Sequence, residues 1–446
     1  MPALFNIFRA WWPLAASWLF MSIEQPLVGA VLARLADPTV HLAALGGIVF
    51  PLALVIEAPI IMLLAASTAL SKDRQAYSLI YRFMMIAGGF LTLLHALLAF
   101  TPLYDLVIVG VLNPPAEVVE PARWGLMIML PFTWSIAYRR FHQGLLIRHG
   151  RSLSISVGTL IRLAAIILGV LAGLGLGAPG IVVGTMGVAT GVIAEAIFIG
   201  IRVRPVVRTH LTGVAEKLLT WRAFAQFYIP LALTSLILLL VQPLGSAALS
   251  RMPQALASLA AWPVLAAFIF LFRGLGMAFN EVVVAQLERP GALQNLRRFA
   301  LLLSLVMTAL LLLVALTPLA SGFFGGVMGL EASLATLASS GLLWALLWPA
   351  LTVWQSFYQG VLVHSGKTQG VSQSVMLSLV TSAALLVAGA LLGTFPGIYV
   401  VTVAFVAGTV VQVFWLMRSS RPALRALRAQ DETTSVLDPE APLFAK

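Results

Sequence analysis

Apolar runs of about twenty residues or more recur along the whole chain, and a run of that length is what a helix needs to cross a bilayer. They fall at residues 7–34, 38–70, 77–103, 120–147, 152–176, 179–203, 222–250, 254–287, 294–319, 331–363, 368–393 and 396–418. Several exceed the ~20 residues a bilayer requires, which predicts tilted helices that project past it. Only 10% of the 446 residues are charged and 60% are hydrophobic, against about 25% charged in a soluble protein. The expected fold class is an all-α polytopic membrane protein with twelve transmembrane helices.

The formal charge of +11 raises the question of nucleic acid. Its placement answers it. Of the 27 Lys and Arg residues, 20 lie in the N-terminus, the even-numbered loops and the C-terminal tail. Three lie in or at the edge of odd-numbered loops (Arg34, Arg123, Arg251) and four deep within spans (Arg139, Arg140, Arg162, Arg273). That asymmetry predicts both termini cytoplasmic, and the expected location is the bacterial inner membrane. Anionic lipids at the cytoplasmic face are its expected partners. No soluble domain is left to carry a nucleic-acid face, and no obligate protein partner is evident.

Zero cysteines exclude disulfides, thiolate metal sites and cysteine nucleophiles. The N-terminal stretch MPALFNIFRAWWPL continues its apolar pattern past residue 30 without a small-residue cleavage site, so it reads as an uncleaved first span. The tail from Arg418 is polar, with arginines first and acids further out.

The chain also repeats itself. FHQGLLIRHGR at 141–151 returns as FYQGVLVHSGK at 357–367, placing Gln143 and Gln359 216 positions apart. PLA at 13–15 matches 230–232, QPL at 25–27 matches 242–244, LAA at 42–44 matches 259–261, and Arg34 matches Arg251. TPL at 101–103 matches 317–319, PGI at 179–181 matches 396–398, and Glu195 matches Gln412. This is a duplicated six-helix unit. Six is even, so both copies enter the membrane in the same sense and the repeat is parallel, with a cleft between halves as the expected substrate path. The expected divisions are an N-terminal six-helix bundle (1–205), a cytoplasmic linker (206–221), a C-terminal six-helix bundle (222–420) and a cytoplasmic polar tail (421–446).

Proline positions repeat too: Pro13 with Pro230, and Pro26 with Pro243. Each removes a backbone hydrogen bond inside a span, so helices one and seven are expected to bend. Whether Pro26 and Pro243 are packing kinks or hinges for alternating access stays open. Gly180, Gly184, Gly187 and Gly191 share one face of helix six and suit close helix packing.

An ionised side chain at mid-bilayer costs about 2.5–3.5 kcal/mol on insertion scales, so each one needs a reason. The acids within spans are Glu24, Glu57, Glu195 and Glu281, matched in number by the four arginines. Complete internal pairing is therefore one reading and a transport site the other. Glu24 stands beside Gln25 and the Pro26 kink, and Gln242 is the repeat equivalent of Gln25. Glu57 and Arg273 are repeat equivalents within one residue, which puts opposite charges at matching points, as gate or as clamp. Glu195 and Glu281 lie nearer helix ends and are weaker candidates. Arg139 and Gln143 are four apart on one helix face, and Gln355 and Gln359 are their equivalents. Arginine's planar fork suits carboxylate or phosphate, and Arg140 and Arg162 add to the same positive field. The other reading of Arg139 and Arg140 is as topology determinants.

His95 and His142 lack any metal-ligand spacing. No Walker A motif, Ser-His-Asp set, HExxH or dinucleotide fingerprint is present. Neither a catalytic site nor a cofactor is expected, and coupling to protons or sodium stays open.

The segments WWPLAASWLFMSIEQPL in helix one, SKDR at 71–74, LHALLAFTPLYDLVI at 94–108 and LPFTWSIAYRRFHQGLLIRHG at 130–150 resemble the progressive ankylosis protein family, within the multidrug/oligosaccharidyl-lipid/polysaccharide exporter superfamily. The likeness covers about the first 170 residues. Glu24, Gln25 and the Gly144–Gly150 stretch are the matching positions. The resemblance implies two six-helix bundles forming a V around a central cavity, as in MATE-like transporters. It also implies export of small organic anions, with pyrophosphate, nucleotide phosphates and citrate the compounds linked to the family. A proton- or sodium-coupled multidrug/cation antiporter and a lipid-linked precursor flippase are the alternatives on the same scaffold.

Overall fold

In the computed structural model, residues 2–151, 153–211, 218–287, 291–367 and 369–437 are described, and their regular structure is helical throughout. Helix α1 comprises Pro2–Ser22 and Glu24–Leu32; α2 spans Pro38–Leu70 and α3 Arg74–Phe100. Helix α4 comprises Ala116–Ile128 and Leu130–Arg148, followed by α5 (Leu153–Gly175), α6 (Gly180–His210) and α7 (Trp221–Leu249). Then come α8 (Ala255–Gln286), α9 (Ala292–Leu316), α10 (Ala332–Trp344 and Trp348–His364), α11 (Gln369–Leu392) and α12 (Gly397–Leu437).

Each expected span coincides with one of these. Ten are long and apolar enough to cross a membrane, and α10 is an eleventh when its segments, bent by 45°, count together. Composition alone does not pass the remaining one, α4, because Glu117, Glu120, Arg123, Arg139, Arg140 and Arg148 lie on it. The outward faces are apolar. On α3, Ile86, Phe90, Leu93 and Leu97 are exposed at helical spacing, while Ile80, Met84, Leu91 and His95 face inward. A soluble helix shows the opposite pattern, so this is an integral membrane protein.

The duplication is visible in the backbone. Breaks fall at Ile23 in α1 and at Leu240 in α7, each three residues ahead of a proline, Pro26 and Pro243. Proline has no N–H to give the carbonyl one turn back, so the helix opens there. Pro13 and Pro230 instead lie inside the unbroken segments Pro2–Ser22 and Trp221–Leu239. The helical pattern is therefore interrupted near the second proline of each pair, and not at the first. After α3 and α9 the chain makes matching short π-helical turns, Leu106–Leu112 and Gly322–Val327.

The repeated Gln-Gly…Gly-cation phrase is a packing and capping device. A Cβ on Gly144 would collide with the Leu64 carbonyl oxygen and lie 2.7 Å from the Ser67 Cβ, so α4 crosses α2 backbone to backbone. Gly360 repeats this on α8, where a Cβ would meet Val283 at 2.6 Å. At the end of the phrase Gly150 has φ +68° and Gly366 has φ +70°. The next residues, Arg151 and Lys367, donate to the Leu146 and Leu362 carbonyls at 2.8 and 2.9 Å. That is a Schellman cap, which needs a left-handed residue and so favours glycine. Gly150→Ala and Gly366→Ala are each expected to cost about 1–2 kcal/mol, seen as a lowered Tm of the detergent-solubilised protein.

Close packing by glycine extends to α6, as the sequence implied. Gly187 and Gly191 abut Val170 and Ile166 of α5, and Gly184 abuts Leu32 and Leu45.

Packing divides the chain elsewhere than the repeat does. One compact unit is Val28–Pro263; the other joins Met1–Leu27 to Val264–Lys446. The first segment of α1 thus packs with the second half of the sequence: the Trp11 indole N–H donates to the Leu275 carbonyl at 2.9 Å, and its ring meets Phe299 edge-on. Ile7, Trp11 and Ala15 join Phe279, Phe299 and Phe357 in one buried cluster. In turn α7 packs with the first half, where Phe224 and Tyr228 surround Phe83 at 4.9 Å and the Tyr228 hydroxyl donates to the Pro59 carbonyl. The expected bundles 1–205 and 222–420 are halves of the repeat, and the packing units exchange their first helices. Part of the expected linker (212–217) and of the tail (438–446) lies outside the described residues.

Candidate functional site

Charges inside the spans gather at one place in each unit, and the two places differ. In the unit Val28–Pro263, the centre is Glu195. It lies midway along α6, which continues to His210, so the expectation that it sits near a helix end is corrected. Its carboxylate takes a short ion pair from Arg139 of α4, a hydrogen bond from the Gln143 amide at 3.0 Å, and Arg162 of α5 at 3.6 Å. Glu195 is 1% exposed, Arg139 5% and Gln143 3%. The four-residue spacing of Arg139 and Gln143 does what it predicted: both reach one acceptor from one helix face.

Beside this closed network lies an open one. Glu57 of α2 is 3% exposed and makes no hydrogen bond or ion pair among the described residues. It is within electrostatic reach of Arg139 and Arg140. The Nε of Arg140 is likewise buried without a partner, and this arginine forms no ion pair among the described residues. Buried polar atoms left unsatisfied are uncommon and call for a reason.

In the other unit the cation is Arg273 of α8. Its Nε donates to the Thr352 hydroxyl at 3.1 Å, and its guanidinium stacks on the Trp348 indole at 4.3 Å, both from α10. No carboxylate pairs with it among the described residues. Complete internal pairing of the intramembrane charges, one of the two expectations, is therefore not what the fold makes.

Several candidates stay outside these clusters. Glu24 opens the second segment of α1 and is half-buried, while Gln25 and Gln242 are exposed beside the two helix breaks. Gln355 and Gln359 are half-buried on α10 and make no side-chain hydrogen bond among the described residues, unlike Gln143. Glu281 is exposed. His95 meets the Thr133 hydroxyl at 2.9 Å and His142 its own helix at the Tyr138 carbonyl, each a lone polar contact. Among the described residues no cluster has metal-ligand geometry. Thr352 and Trp348 are not marked as site residues by the sequence. Their only signal was position, one turn apart on α10 within reach of a charged helix.

No protein-family model matches the chain, and no curated protein matches it. Solved structures do. The chain is similar to the inward-facing conformation of a multidrug resistance MATE family transporter of the MOP superfamily, at TM-score 0.73 and 16% identity, covering 93% of this chain and 96% of that one. The fold is MATE-like. It is similar also to the lipid II flippase MurJ in an inward closed conformation, at TM-score 0.68 and 15% identity over 97% and 94% of the two chains. A third is a MOP superfamily transporter from Pyrococcus furiosus Vc1 (DSM3638), at TM-score 0.64 and 15% identity over 95% and 97%. The MATE-like expectation for the architecture therefore holds for the chain as a whole, and the scaffold is one used by membrane transporters and flippases.

Proposed function

We propose that the protein is a secondary transporter that exports small organic or phosphorylated anions by alternating access. The observation that carries this is that the intramembrane arginines are not all paired with carboxylates among the described residues. Arg140 and Arg273, one in each unit, make no ion pair among the described residues, and of the two Arg273 also has no carboxylate in electrostatic reach. A guanidinium held in the membrane without a counter-ion costs several kcal/mol less once an anion neutralises it. The resemblance of helices one to four to the progressive ankylosis family supports the same substrate class, with citrate and pyrophosphate as the first compounds to try. Here Arg139 and Arg162 hold the Glu195 network together, and Arg140 and Arg273 supply the free field.

Counterflow in proteoliposomes tests this, with labelled citrate and pyrophosphate set against a lipophilic cation. Anion exchange above empty liposomes is expected, abolished in Arg273→Gln while folded protein remains in the membrane. Cation exchange alone would overturn it.

Glu57 favours a second reading. A buried carboxyl without a partner suits proton or sodium coupling, or an antiporter for lipophilic cations, and the chain shares its fold with a multidrug resistance transporter. Exchange that fails in Glu57→Gln yet survives loss of Arg140 and Arg273 would move the function there. If neither anions nor cations move, lipid-linked substrates come next, on the likeness to the lipid II flippase.

A further inference from the structure

We infer that Arg273, Trp348 and Thr352 form a subsite for one oxyanion group presenting two oxygens, taken end-on by the terminal nitrogens of Arg273. This rests on the anion reading above and adds where and how the anion is held.

A guanidinium carries five N–H donors in a rigid fork. The Thr352 hydroxyl gives its single proton to the Trp348 carbonyl at 2.9 Å, so its lone pairs are left to accept from Arg273 Nε at 3.1 Å. That contact occupies the Nε side of the fork. The guanidinium carbon lies over the Trp348 indole face, 4.3 Å from the ring centroid, which limits its movement on that side. Arg273 is thereby preorganised, and the N–H groups on its two terminal nitrogens have no acceptor among the described residues. The Trp348 indole N–H is a further donor in the same cluster, in a residue 6% exposed, and it too has no acceptor. Donors collected inside a membrane unit without a carboxylate describe an anion site, and the edge left open is the one that meets a carboxylate or phosphoryl with two parallel hydrogen bonds.

The duplication supplies a control for packing. At matching positions the first copy has Phe132 and Ile136, and Ile56 or Glu57 in place of the arginine. The same scaffold is built there without the arginine, the indole or the hydroxyl, so the trio is not a requirement of the fold. Arg273 touches the anion; Thr352 and Trp348 are positioning residues.

Equilibrium binding of labelled citrate and pyrophosphate to the full-length detergent-solubilised protein tests the subsite. Counterflow with the same compounds reads transport separately. Arg273→Lys keeps the charge and loses the fork, and is expected to weaken binding of the preferred anion tenfold or more. Thr352→Val is expected to weaken it in the same direction, with Thr352→Ser restoring it, while the thermal midpoint of the ligand-free protein is unmoved. Wild-type binding with unchanged affinity in Arg273→Lys and Thr352→Val overturns the subsite and leaves the anion reading standing. Absence of binding by the wild type overturns both. Binding that follows the expected order without any exchange keeps the subsite and overturns the transport reading.

Discussion

Replacing Glu195 by glutamine is expected to destabilise the protein more than any other single change at the charged clusters. It strips the carboxylate from Arg139, Gln143 and Arg162 at once, leaving the buried Arg139 guanidinium without its ion-pair partner. Removing one partner of a buried ion pair costs about 3–5 kcal/mol, because the remaining charge stays desolvated. The measurement is the thermal midpoint and denaturant sensitivity of the variant in detergent. A double-mutant cycle adds a sharper reading. Arg139→Gln combined with Glu195→Gln should cost clearly less than the sum of the two singles, since the second removes a charge the first had orphaned. Additivity would mean that Arg139 and Glu195 do not interact in the folded protein.

Gly144→Ala is the second large effect. Its added methyl group runs into the Leu64 carbonyl oxygen, which is backbone and cannot rotate away. Overpacking of this kind typically costs 1–3 kcal/mol and forces a helix to move. Gly360→Ala, at the equivalent crossing, meets mainly the side chain of Val283 and should cost less. Gly89→Ala on α3, with nothing within 4 Å of the new methyl, should be neutral or slightly stabilising. Equal losses at Gly144 and Gly360 would refute the distinction between a backbone and a side-chain obstacle.

How much of this the chain announces in advance depends on which physical signal carries each part. The spans are legible because hydrocarbon demands long apolar runs, and the duplication because equivalent packing problems keep the same residues: Gly144 and Gly360 at a helix crossing, Gly150 and Gly366 at a left-handed cap. The Arg139–Gln143 face is legible from helical spacing. What spacing along one helix cannot carry is a partner on another. Glu195 reads as lying near a helix end because the apolar run stops at residue 203, whereas α6 continues through Pro205 to His210. Thr352 and Trp348 are ordinary residues until the fold sets them against Arg273. The same limit applies to the packing units, since a parallel duplication is silent on which copy each first helix joins.

That exchange has a consequence for biosynthesis. Residues up to Leu27 belong with a unit whose remainder starts at Val264. At synthesis rates of 5–20 residues per second, the first helix waits roughly 10–50 s in the membrane before its neighbours begin to emerge. Throughout that interval Trp11, whose indole is destined for Leu275 and Phe299, has only lipid or foreign helices to meet. A chain cut between residues 211 and 218 would yield two fragments, each holding one helix that the other needs. Neither fragment is a finished module; assembly of this protein is a problem in timing as well as in packing.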